Sequence, residues 1–207
     1  MYKPVFKTPM NGKHYYFGYY DKSPLSHDSK RLLALEVDFI DRLPVKEDEA
    51  RIGYFDLTQA EPIFISIATT RTFNWQQGCM LQWLGPDFNS KVIFNDLVNN
   101  KFVSKILDLN TREEKQFCEA IYSVLSDGLG AVCIDNERHH WCRRGYSYDG
   151  VYNKDKEKNI VPGDGIFYLD FNKNSLNKII SIEEMNAIKP LATMGDGANY
   201  LEHLMVS

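Results

Sequence analysis

Ile52-Gly53-Tyr54-Phe55-Asp56-Leu57 decides the fold, because the chain repeats its pattern as Ser104-Lys105-Ile106-Leu107-Asp108-Leu109 and as Ile166-Phe167-Tyr168-Leu169-Asp170-Phe171. Each copy alternates apolar residues and ends in Asp and one more apolar residue. A polar turn follows (Thr58-Gln59, Asn110-Thr111, Asn172-Lys173-Asn174), then another apolar run. Alternation is the period of a strand, and the Asp-led polar pair is turn chemistry, so each copy reads as a strand entering a hairpin. The aspartates recur roughly every 50–60 residues, which is the mark of a repeat architecture.

A second element precedes each copy. Ser23-Pro24-Leu25-Ser26-His27-Asp28-Ser29-Lys30 leads into Arg31-Leu32-Leu33-Ala34-Leu35, and Ser123-Val124-Leu125-Ser126-Asp127-Gly128-Leu129-Gly130 leads into Ala131-Val132-Cys133-Ile134. A looser copy, Gly85-Pro86-Asp87-Phe88-Asn89-Ser90-Lys91, leads into Val92-Ile93-Phe94-Asn95. Leu32 to Glu36, Val92 to Asn95 and Ala131 to Ile134 are therefore expected to be equivalent strands. Strand, tight turn, strand, Asp-ended strand, hairpin and strand make a four-stranded antiparallel module. Such a module cannot bury both faces alone and stacks on its neighbours as the blade of a β-propeller. A β-sandwich also has short strands and turns, but it does not repeat one module along the chain. The expectation is an all-β propeller with blades near 17–70, 78–120 and 121–182, and the first strand of a fourth near 198–207. This would be the N-terminal half of a seven-bladed ring, and the remainder of the propeller or a partner chain would cover the open blade edge. One short helix is expected near Ile182 to Ile188, where Glu183 and Glu184 suit a first helical turn. The third blade carries an insertion, Asp135 to Gly163, of a length that loops reserve for function or disorder.

Composition narrows the classes further. With 43% hydrophobic residues the chain can build a core, and 13% aromatics suit pleated strands and ring-stacking surfaces. A net charge of -4 with no basic cluster leaves no footprint for nucleic acid. No apolar run reaches the length of a signal peptide or membrane span, so a cytoplasmic protein with no membrane partner is expected. Cys79, Cys118, Cys133 and Cys142 form no CxxC pair and read as reduced thiols.

The Ser23 to Lys30 turn resembles the turns of WD40-like propellers of the TolB type. Phe17-Gly18-Tyr19-Tyr20-Asp21-Lys22, Val37 to Pro44, Phe73 to Trp83 and Arg144-Gly145-Tyr146-Ser147-Tyr148 resemble seven-bladed propellers of bacterial proteins that handle polysaccharides. More distantly, the arrangement is similar to the oligogalacturonate and ulvan lyase propellers. These resemblances imply an oligosaccharide ligand and lyase-like chemistry on acidic sugars. A non-catalytic scaffold for protein interactions is the alternative function.

Read by themselves, Trp75, Gln76 and Gln77 lie where one blade hands the chain to the next, and with Tyr19, Tyr20, Asp21 and Arg138 they are the expected ligand contacts. Trp offers a platform to a sugar ring, and carboxamides bond hydroxyls in both directions; Trp75 packing between blades is the plainer alternative. In the insertion, Arg144 is the expected neutraliser of a uronate carboxylate, and Tyr146 or Tyr148 the proton carrier. The plainer alternative is an exposed loop whose arginines pair with Asp149, Asp155 and Glu157. His203 is the one candidate metal ligand on a strand. A divalent metal would need further ligands beyond residue 207, and a hydrogen-bonded strand-end histidine is the simpler reading.

Overall fold

A computed structural model describes residues 6–189 and 191–206. Three four-stranded antiparallel sheets follow one another along the chain, each with its strands in chain order. The first contains β1 (His14–Tyr16), β2 (Arg31–Val37), β3 (Ala50–Asp56) and β4 (Phe64–Thr70). The second contains β5 (Gln82–Trp83), β6 (Lys91–Val98), β7 (Lys101–Asp108) and β8 (Glu114–Phe117). The third contains β9 (Ser123–Val124), β10 (Gly130–Cys133), β11 (Gly165–Asp170) and β12 (Ser175–Ser181). The three segments expected to be equivalent are the second strands of the three sheets, and the Asp-ended copies are the third strands.

The repeated Asp has a physical cause. Each carboxylate accepts from the backbone N–H two residues on: Thr58 to Asp56 at 2.9 Å, Asn110 to Asp108 at 2.8 Å and Asn172 to Asp170 at 2.9 Å. That bond opens the hairpin turn. The next apolar residue then donates to the carbonyl just before or at the start of the second strand: Leu57 to Lys30, Leu109 to Ser90 and Phe171 to Leu129, at 2.7, 2.8 and 3.0 Å.

The sheets stack as blades. One core cluster joins Leu33, Leu35 and Ile52 of the first to Trp83, Val92, Phe94 and Leu107 of the second. Another joins Ile93 and Phe117 of the second to Ala131, Cys133 and Leu169 of the third. Val92 and Phe94 face one way and Ile93 the other, so the central blade is buried on both faces and its second strand is a continuous apolar run. The turns pack too: Gly128, at φ 71°, lies so close that a Cβ would strike the carbonyl of Gly85. The chain is an all-β array of three propeller blades.

Several boundaries differ from the sequence reading. The first blade begins at His14 rather than Phe17, because β1 pairs with the far end of β2, His14 opposite Val37. The expected short helix is α2 (Ile182–Ile188), started by a capping box between Ser181 and Glu184. A second helix was not expected: α1 (Asn136–Cys142) opens the insertion, with Asp135 as its N-cap accepting from the Arg138 backbone N–H at 2.8 Å. A 3-10 turn covers Ala192–Gly195. Residues 198–206 pair into none of the three sheets; they lie along the third blade with Leu201 and Leu204 on the core between blades two and three. Residue 207 lies outside the described residues. No helix among the described residues is long and apolar enough to cross a membrane.

Candidate functional site

Successive blade entries meet around a cavity of about 230 Å³, lined by Tyr19 to Lys22 from the β1–β2 connection, Gln77 and Met80, Tyr122, and residues 203–205. Local sequence explains how each arrives. Asn74 accepts from the backbone N–H groups of Gln76 at 3.0 Å and Gln77 at 2.8 Å, closing a tight loop completed by Gly78 at φ 58°. The loop turns Gln77 inward and leaves Gln76 exposed. Gly18 brings the first-blade connection directly onto this loop, since a Cβ there would stand 2.5 Å from the Gln77 carbonyl oxygen.

Tyr122 knits the pocket together. Its hydroxyl accepts from Gln77 Nε2 at 3.0 Å and from the His203 backbone N–H at 2.8 Å. A phenol oxygen with two donors on it retains one proton to give. Burial raises the Tyr122 pKa, so that proton stays in place. Tyr19 and Tyr20 pack with ring centroids 4.4 Å apart, and the His203 ring stacks on Tyr19 at 6.0 Å and 26°. Hydrogen bonding with Tyr20 pushes Tyr19 up to about 12, which keeps it a neutral phenol. Lys22 Nζ lies 3.0 and 2.9 Å from the two oxygens of Asp21, a pair with both side chains largely covered.

Of the residues singled out in the sequence, the cavity gathers Tyr19, Tyr20, Asp21, Gln77 and His203. Lys22, Met80 and Tyr122 were missed; Tyr122 stands just ahead of β9 and carries no local signal. Trp75, Gln76, Arg138, Arg144, Tyr146 and Tyr148 are not among the lining residues. Trp75 packs edge-on against Tyr16, Phe39 and Phe73, and its indole N–H donates to the Arg42 carbonyl at 2.8 Å. Arg138 is 0% exposed and fills its donors with carbonyls: Nε to Asn199 at 3.2 Å, Nη1 to Asp155 at 3.1 Å, and Nη2 to Lys158 at 2.5 Å and Asn159 at 3.2 Å. It ties the insertion together, with four of its five N–H donors used and the side chain enclosed. Tyr148 is 1% exposed; its hydroxyl accepts from Asn95 Nδ2 at 3.0 Å and its ring packs on Phe102. A side chain so enclosed cannot exchange a proton with a substrate. Tyr146 lies beneath the Arg143 guanidinium at 3.9 Å, and the exposed Arg144 lies 5.7 Å over Trp141. His203 Nδ1 faces Glu202 Oε1 at 3.0 Å. Among the described residues no group of three or more His, Cys, Asp or Glu side chains is placed to hold a metal ion.

The fold and this junction define a class: stacked propeller blades with a small, part-aromatic pocket where the blades are entered. No protein-family model and no curated protein matches the chain. Over 77% of its length it is similar to the crystal structure of TolB from Acinetobacter baumannii, at 14% identity and a TM-score of 0.46, and it spans 32% of that chain. The blade assignment rests on the three ladders and not on this likeness.

Proposed function

We propose that the blade-entry pocket recognises a neutral hydroxylated ring, one unit of a saccharide. The supporting observation is that the rings of Tyr19, Tyr20 and His203 line one cavity together with Tyr122, Gln77 and the Asp21–Lys22 pair. Aromatic faces take the apolar face of a sugar, while hydroxyl, carboxylate and ammonium groups bond its hydroxyls. The cavity is smaller than the roughly 300–1,000 Å³ typical of pockets for drug-sized ligands, so it suits a single ring. Asp21 and Lys22 cancel one another, and Glu202 behind the wall is paired with Arg143, so among the described lining residues no lysine or arginine is left unpaired to select a carboxylate. A neutral unit fits that balance better than a uronate. Elimination chemistry is not part of the proposal, because Arg144, Tyr146 and Tyr148, the residues expected to carry it, are not among those that line the cavity.

The test is saturation-transfer NMR on the whole chain with neutral hexoses and disaccharides, uronates, and a short peptide as control. Neutral saccharides should show transfer, and Tyr19→Ala should weaken their binding about tenfold, the loss of roughly one aromatic stacking partner. Transfer to none of the saccharides, or unchanged affinity in Tyr19→Ala, would overturn the reading. Transfer to the peptide alone would favour the protein scaffold.

A further inference from the structure

One wall of the pocket, His203 to Met205, belongs to a strap of residues 199–205 that forms no ladder, packs Leu201 and Leu204 on the core between blades two and three, and is bonded to α1 and the third-blade entry. Arg138 donates to the Asn199 carbonyl, Arg143 pairs with Glu202, and the His203 N–H donates to Tyr122. Between helix and strap lies His139, 1% exposed, flanked by Tyr200 at 5.9 Å and Tyr122 at 6.2 Å. His139 Nδ1 has no hydrogen-bond partner, and Nε2 meets Glu202 Oε2 only in a long contact of 3.4 Å. One buried nitrogen left unmatched beside one long polar contact makes a weak point in the interface, since both forgo the bonds they would find in water.

We propose that protonation of His139 undocks the strap from α1 and so opens the wall of the pocket, making the site proton-gated. The gating of ligand rests on the saccharide reading above; the undocking does not. The groups facing His139 explain the sign. From the strap come Glu202, which favours the imidazolium, and His203, which opposes it. Arg143, the C-cap residue of its own helix, also opposes it, and the third-blade entry presents the neutral phenol of Tyr122. Glu202 is already shared by Arg143 and His203. Burial is the largest effect and lowers His139 to about 4 from its ordinary 6.5.

A histidine held neutral in the docked state stabilises docking above about pH 6.5. That stabilisation is lost progressively as pH falls toward the docked value, because the undocked ring takes up the proton first. With those two pKa values the docking constant falls about 20-fold between pH 7 and pH 5.

Hydrogen exchange of the His203 amide on the whole chain, corrected for the intrinsic pH dependence of exchange, reads this directly. Protection should fall about 20-fold in the native chain and stay flat in His139→Phe, which keeps the ring between the two tyrosines. His139→Gln makes the same comparison if phenylalanine does not fold in. A pH-independent native protection, or an equal fall in either folded variant, would overturn the proposal. Should both variants fail to fold, the native chain is decisive by NMR: titration of the ring far below 6.5 together with the fall in His203 amide protection supports the gate, and titration near 6.5, or low titration with protection unchanged, refutes it. Failure of all saccharide binding with the strap transition intact would remove the recognition reading and leave the gate standing.

Discussion

Replacing Arg138 by Met separates an architectural arginine from a ligand-binding one. The guanidinium is enclosed and donates to four carbonyls of the insertion and strap. Two of those keep another donor: Asp155 accepts from the Lys158 N–H at 3.0 Å and Asn159 from the Asn199 N–H at 2.7 Å. The carbonyls of Lys158 and Asn199 lose the donor that Arg138 gives them. Each buried orphan costs about 1–3 kcal/mol, and relief from burying a cation offsets part of the sum. The expected loss is about 2–4 kcal/mol of unfolding free energy for the third blade. Urea denaturation should show that loss, and limited proteolysis should cut first between residues 153 and 160 while the first blade stays protected. A loss below about 1 kcal/mol, or loosening spread evenly over all three blades, would refute the account. Full stability with saccharide binding abolished would return Arg138 to the ligand site.

The three hairpin aspartates should behave alike. Asp56→Ala, Asp108→Ala and Asp170→Ala should each lower Tm by a similar amount, since each removes an acceptor for the same turn N–H. Hydrogen bonds hold all three carboxyls below their ordinary value, from the Thr58 hydroxyl at Asp56 and from turn N–H groups at Asp108 and Asp170. Their contribution is thus present above about pH 4 and lost as acid titrates the folded carboxylates, so mutant and native Tm should converge at low pH; a gap that persists there would count against the turn mechanism. Trp75→Phe should cost about 1 kcal/mol through the lost bond to Arg42 while leaving saccharide affinity unchanged, as read by denaturation and NMR titration. A fall in affinity would place Trp75 in the site after all.

The blades were legible in the sequence because their signals are local. An alternating run ending in Asp needs only its neighbouring residues to become a strand and a hairpin, and Ser181 with Glu184 needs only one turn to cap α2. The helix α1 was not legible, since Asn136-Glu137-Arg138-His139-His140-Trp141-Cys142 has no apolar stripe; its Asp135 cap and the packing of Arg138 and His139 hold it. The site was half legible. Tyr19 to Asp21 and Gln77 sit in stretches whose composition marks them, whereas Tyr122 looks like any strand residue until its hydroxyl is seen receiving Gln77 and His203.

By itself, then, the sequence determined the repeat, the strands and the aromatic richness of the blade entries, all set by periodicity and turn chemistry within a few residues. Only the tertiary structure decided which polar groups still have a bond to give. Arg138, Tyr148 and Trp75 carry hydrogen-bond donors, as the polar pocket residues do. Burial and the bonds described above commit theirs to the protein, and a side chain's remaining hydrogen-bonding capacity depends on partners that are distant in the chain.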